Sequence, residues 1–180
     1  MSDSRWTDVD RDIDDALRHL GMALRIFDAG GFDAPDLEGY KSSTSFMHAM
    51  ATGYTSVENA VKRILDILGE TPPSGEAWHR DLLERVARPM PGTNARPALF
   101  DEEMRRDLLE CLRMRHRVRH SDYDEFVPTK AEPTVDAVRR VIKRIKQTIA
   151  QFRKKIDPDP SDENDGGDGA GGGASGGPPI

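Results

Sequence analysis

The chain has 180 residues, 36% of them apolar and 32% charged, with a net charge of −6 and one cysteine, Cys111. That length suits a single core, the lone cysteine excludes a disulfide framework or a multi-cysteine zinc site, and the scarcity of aromatics and alternating β-branched runs excludes a sandwich or barrel. No apolar run nears the roughly 20 residues that span a bilayer, and the acidic opening MSDSRWTDVDRDIDD lacks the basic-then-apolar order of a signal peptide, so a soluble, cytoplasmic protein without a membrane role is expected.

The pattern reads as an all-α bundle of about five helices over residues 1–156. Val9, Ile13, Leu17, Leu20, Leu24 and Phe27 predict an amphipathic helix over 6–28, its Asp-rich first turn suiting the positive helix end. Gly30, Gly31 and Pro35 stop it. A longer helix is expected over 36–68, with Tyr40, Met47, Met50, Tyr54, Val57, Val61, Ile64, Leu65 and Leu68 facing inward and Gly69 ending it. Glu76–Arg88 reads as a short helix with Trp78, Leu82, Leu83 and Val86 inside, and 89–99 as a linker. Asp101 opens a fourth helix on the stripe Met104, Leu108, Cys111 and Leu112, where Cys111 reads as core packing. The last helix is expected after Pro133, with Thr134 as N-cap. Its seam is Val135, Val138, Ile142, Ile145, Ile149, Phe152 and Ile156, suited to a bundle neighbour or to a coiled-coil dimer. Residues 157–180, rich in Gly, Asp, Pro and Ser, read as a disordered acidic tail.

Charge is unevenly spread. Residues 1–40 sum to −6, 41–100 to +1, 101–156 to +5 and 157–180 to −6. Eight Lys/Arg and no acid fall within 137–156, after a shorter run at Arg113, Arg115, Arg117 and Arg119. An acidic chain can still carry a local basic footprint for nucleic acid, although a solvated face beside an acidic neighbour accounts for the same pattern.

Chemistry concentrates at the end of the fourth helix. Its apolar stripe continues onto Arg115, followed by His116, Arg117, Val118, Arg119 and His120. A guanidinium on an inward stripe is costly unless paired or lining a cleft. Either such a site exists, or the helix leaves the bundle there and Arg115 is solvated. Arginine and histidine together suit phosphodiester chemistry: histidine moves protons near neutrality, and arginine stabilises charge on phosphoryl oxygens. Residues five apart on a regular helix point about 140° apart, so Arg115 and His120 converge only if the helix distorts or two copies face each other. His116 and His120, four apart, have a zinc-chelating spacing. No glutamate or third ligand accompanies them, and the surrounding arginines oppose a cation, so neither a metal nor another cofactor is expected.

The segment Arg115–His120 resembles the R-x4-H motif of HEPN domains, particularly the HepT-like ribonuclease toxins. The run GYTSVENAVKRILDILGE at 53–70, with Tyr54 and Glu58, is similar to their long helix. GEAWHRDLLERVA at 75–87 resembles their G-x-x-W-H-R-x-L-L segment, and LFDEEMRRDLLECLRMRHRVRHSDY at 99–123 the motif helix. The resemblance implies a homodimer with two motifs in a basic cleft and metal-independent cleavage of RNA through 2′-hydroxyl attack. Arg115 and His120 would be the catalytic pair, His116 and Arg119 supporting residues, and Arg113 and Arg117 phosphate contacts. It further implies a minimal nucleotidyltransferase antitoxin, which in relatives with H-x-Y modifies the tyrosine. Here the sequence is H-x-x-Y, making Tyr123 the candidate modification site. The alternative is a non-catalytic HEPN-like module that binds a nucleotidyltransferase or nucleic acid.

Overall fold

Five helices form in chain order: α1 (Ser4–Ala29), α2 (Leu37–Ile67), α3 (Trp78–Val86), α4 (Glu102–His120) and α5 (Pro128–Ile156). The structure, a computed structural model, describes residues 4–35, 37–93, 95–120 and 126–158, without the side chains of 118–120. Among these residues the fold is all-helical, the one strand-like pairing being an isolated bridge between Met90 and Arg96. The expected tail lies, from residue 159 on, outside the described residues. No described helix is long and apolar enough to cross a membrane.

The α1–α2 hairpin is the most extensive helix pairing. The buried line of α1 is Trp6, Val9, Ile13, Ala16, Leu20 and Ala23, stepping by three and four. Leu17, Leu24 and Phe27, expected inside, flank this core half-buried, while Ala16 and Ala23 are fully buried. Gly53 on α2 permits the approach: a Cβ there would lie 2.7 Å from Leu20 Cγ and 3.0 Å from its backbone nitrogen. At the start of α2, Phe46 is buried and Tyr40, expected inside, is exposed. Phe46 joins Phe27, Phe32 and Phe126 in an aromatic cluster with centroid separations of 5.0–5.9 Å, which fixes the chain where it re-enters after α4.

Two expectations change in the second half. The last helix starts at Pro128, with Pro133 inside it and Thr134 buried rather than capping. Proline suits a first helical position because its missing N–H has no intrahelical partner there. Pro133 is exposed, and one forgone backbone bond is the smaller cost against burying Ala131, Thr134 and Val135. The Thr134 hydroxyl donates to Glu110 Oε1 at 3.2 Å. The α5 seam is buried within the chain against α4 and α1, with Val141 in place of the half-buried Ile142. The residues of a coiled-coil seam are thus consumed in the bundle.

The linker expected at 89–99 is instead tied down. Arg96 is 5% exposed; its Nε donates to Glu70 Oε1 at 2.5 Å and its Nη1 to the Arg88 carbonyl at 2.9 Å. Arg85 reaches the other Glu70 oxygen at 2.9 Å. Leu99 and Phe100 are core residues.

The basic run on α5 meets the acids of α1 and α4. Arg139 pairs with Asp28 at 2.5 Å, Lys146 with Asp14 at 2.9 Å and Arg153 with Asp10 at 3.7 Å. Arg140 pairs with Asp107 at 2.7 Å, and Arg144 with both Asp101 and Glu103. At the far end Trp6, fully buried, donates its indole N–H to Asp157 at 3.1 Å, and the Arg153 guanidinium stacks over its ring. Asp157, placed in the tail by composition, thus closes the fold.

Gly53→Ala is expected to destabilise by about 1–3 kcal/mol, the cost of forcing atoms into a packed contact; an unchanged urea midpoint would show that α1 and α2 can separate freely. Burial opposes ionisation of Glu70, but the bonds from Arg96 and Arg85 outweigh it and hold its carboxyl below the ordinary 4.5. Ionised Glu70 therefore stabilises the fold above about that pH, and the contribution is lost as pH falls through the lower folded-state value. Glu70→Gln should melt earlier than wild type at pH 7, with the gap narrowing below pH 4.5; a gap constant with pH would contradict this.

Candidate functional site

Three inward positions on three helices converge beneath the end of α4. Glu58, on the α2 face with Tyr54, Val57 and Val61, is 2% exposed; His79, second residue of α3, is 7%; Arg115, continuing the α4 stripe, is 6%. His79 Nδ1 lies 2.5 Å from Glu58 Oε1, and Arg115 Nη1 lies 2.9 Å from His79 Nε2. The two charges approach at 3.7 Å, Arg115 Nη2 to Glu58 Oε2.

These partners decide the tautomer. A carboxylate only accepts, so the imidazole carries its hydrogen on Nδ1 and donates to Glu58, while Arg115 Nη1 lies over the ring, 2.9 Å from Nε2 and 3.3 Å from Nδ1. The cluster is then one anion, one neutral ring and one cation, with no net charge to strand in the core. The His79 ring is held further by Trp78, centroids 3.6 Å apart, whose own ring carries the Lys62 ammonium at 3.8 Å. Tyr54 is buried in the same neighbourhood; burial, then the Glu58 charge, push its ionisation well above 10, so it stays a phenol. Cys111, one turn before Arg115, is fully buried, and its thiol is pushed far up by desolvation, a core side chain rather than a nucleophile.

The sequence left Arg115 either solvated or paired, and it is paired. Its described partners are His79 and Glu58; the side chains of His120, Arg119 and Tyr123 lie outside the described residues. The backbone of α4 is helical through His120. His116 is exposed, and its ring meets the His79 ring edge-on at 5.9 Å. Arg113 is exposed and bonded to Glu110 at 2.6 Å, while exposed Arg117 reaches the Lys130 carbonyl at 3.4 Å. His79 hydrogen-bonds at the first turn of α3. Glu58 was legible by the rule that singled out Arg115, a charge on an apolar stripe, and the two breaks are one pair. Among the described residues no group of three or more His, Cys, Asp or Glu is placed to hold a metal ion.

Residues 45–156 match the family model described as HepT-like protein. The chain belongs to that family. The match starts within α2 and ends at the last residue of α5, so it takes in Glu58, His79 and Arg115, while α1 lies outside it. No curated protein and no solved structure matches the chain. In this HepT-like chain Arg115 is a buried, partnered side chain. Truncating it strands Glu58 without its cation, so Arg115→Ala is expected to lower unfolding free energy by about 3 kcal/mol; an unchanged melting curve would show that Glu58 and His79 are satisfied without it.

Proposed function

We propose that this HepT-like protein is a metal-independent endoribonuclease, the toxin of a pair with a minimal nucleotidyltransferase antitoxin, acting as a homodimer in the cytoplasm. The observation that carries the reading is the guanidinium kept at Arg115, at an inward position of the motif helix where an apolar residue would pack at less cost, in a chain of this family.

The chemistry follows from the residue types. A histidine, His120 in this reading, takes the proton from a ribose 2′-hydroxyl. The O2′ oxygen attacks phosphorus as the P–O5′ bond breaks, and the departing O5′ takes up a proton. The products are a 2′,3′-cyclic phosphate and a 5′-hydroxyl. Arg115 stabilises the charge that develops on the phosphoryl oxygens, with His116 and Arg119 as supporting groups and Arg113 and Arg117 as phosphate contacts along the rim. Tyr123 is the tyrosine a nucleotidyltransferase partner would modify, three residues past His120.

A specific observation favours the second reading, a non-catalytic binding module. Five of the eight basic side chains on 137–156 are paired with acids of α1 and α4, and Arg113 with Glu110, so less positive surface faces solvent than the sequence suggests. The test is incubation of purified protein with mixed-sequence RNA in EDTA, beside His120→Ala. Cleavage that leaves 2′,3′-cyclic ends and is abolished in the variant is expected. A folded wild type that binds RNA without cutting it would move the assignment to the binding module.

A further inference from the structure

Among the described residues three carboxylates are buried, and two are gripped directly by arginine. Glu70 receives Arg96 at 2.5 Å and Arg85 at 2.9 Å. Asp107 receives Arg140 at 2.7 Å from Nη2, with Nε 3.1 Å from both its oxygens. Glu58 is different. Its arginine stands 3.7 Å away, beyond hydrogen-bond range, and the imidazole of His79 touches both, its Nδ1 bonded to Glu58 and its ring covered by Arg115 Nη1, 2.9 Å from Nε2 and 3.3 Å from Nδ1.

We propose that His79 is a spacer that stops Glu58 from closing on Arg115 and so keeps the guanidinium available to a phosphodiester oxygen; the proposal rests on the ribonuclease reading above. A carboxylate and a guanidinium in a buried site settle into a two-pronged contact in which the carboxylate takes the donors a phosphate would need. Closing the Glu58–Arg115 gap to that contact requires a shift of about 1 Å, well within the reach of two flexible side chains. The ring prevents it by holding one Glu58 oxygen at Nδ1 and by occupying the space beneath Arg115 Nη1, which rests on its face.

What Arg115 receives in exchange is contact with the face of a neutral ring, weaker than a bond to an anion. It still feels the Glu58 charge, which offsets the cost of burying it, yet among the described residues its Nη2 makes no hydrogen bond to that carboxylate. The spacer is itself fixed, anchored at the first turn of α3 and stacked on Trp78. His79 and Glu58 are therefore positioning residues. They act on substrate through Arg115, and their arrangement separates the charge balance of the core from the hydrogen bonds of the site.

The test is a double-mutant cycle on the full-length protein: His79→Ala, Glu58→Gln and the pair together, beside His79→Gln and Arg115→Ala. Cleavage is read on mixed-sequence RNA, binding on the 2′-O-methyl version of the same RNA, and folding by thermal melting. His79→Ala should lose about 100-fold in cleavage, the scale for removing one stabilising donor from a developing oxyanion. Adding Glu58→Gln should recover at least about tenfold, as coupling between touching side chains allows, because the carboxylate that captures Arg115 is gone. His79→Gln keeps a donor and an acceptor and should also recover activity relative to His79→Ala. His79→Ser takes the place of His79→Ala in the cycle if the alanine variant does not melt cooperatively.

A double variant no more active than His79→Ala, or a His79→Ala as active as wild type, would overturn the spacer while leaving the nuclease reading intact. A wild type that neither cuts nor binds RNA, or an Arg115→Ala that cuts as well as wild type, would overturn the nuclease reading and the spacer with it.

Discussion

A carboxylate, an imidazole and a guanidinium buried at the meeting of α2, α3 and α4 impose the tightest constraint on this fold. Each would be prohibitive alone in the core, and together they satisfy one another. The requirement is geometric as well as energetic: residues 21 and 36 positions apart in sequence must come within 3 Å. That fixes the start of α3 relative to both long helices. Its nine residues are too few to be stable in isolation. The helix is pinned at its first turn by His79, and at its last by Arg85, Glu70 and Arg96, with Leu82, Leu83 and Val86 supplying the apolar contact between.

The same economy of charge extends over the surface. The acids of α1 and of the first turn of α4 face the bases of α5, so two segments that look like opposite patches in sequence form one neutralised seam. Exposed pairs of this kind contribute little each and weaken with salt. Their main effect is on where positive potential remains. Among the described side chains, Lys62, Arg113, Arg115 and Arg117 lie toward the end of α4, Arg115 buried and Arg113 paired with Glu110.

In a HepT-like chain the motif arginine can be read as a substrate contact, and its buried geometry gives it a second part as a core element. The two parts conflict unless something limits how firmly the core holds the side chain. Direct carboxylate grips at Glu70 and Asp107 serve structure alone. Among the described residues, the contact at Glu58 is the one place where a buried cation is balanced electrostatically without being bound two-handed by its anion.

Helix number, order and most of the core were legible in the sequence, because a 3.6-residue period in apolar residues is a local property and survives in any packing. The break at Arg115 was legible for the same reason. What a one-dimensional pattern lacked was partners. It placed Tyr40 inside, where Phe46 is the residue that reaches the aromatic cluster, since both fit the period and only the neighbouring helices distinguish them. It started the last helix after Pro133, because the reward for extending to Pro128 comes from contacts of Ala131 and Thr134 with α4 and its neighbours. It read 89–99 as a linker, because Arg96 is core only by virtue of Glu70, 26 residues away. The sequence by itself determined which residues are amphipathic and which one breaks the rule; tertiary structure alone decided what meets that residue, because pairing of buried charges is a property of three-dimensional proximity, which no local period encodes.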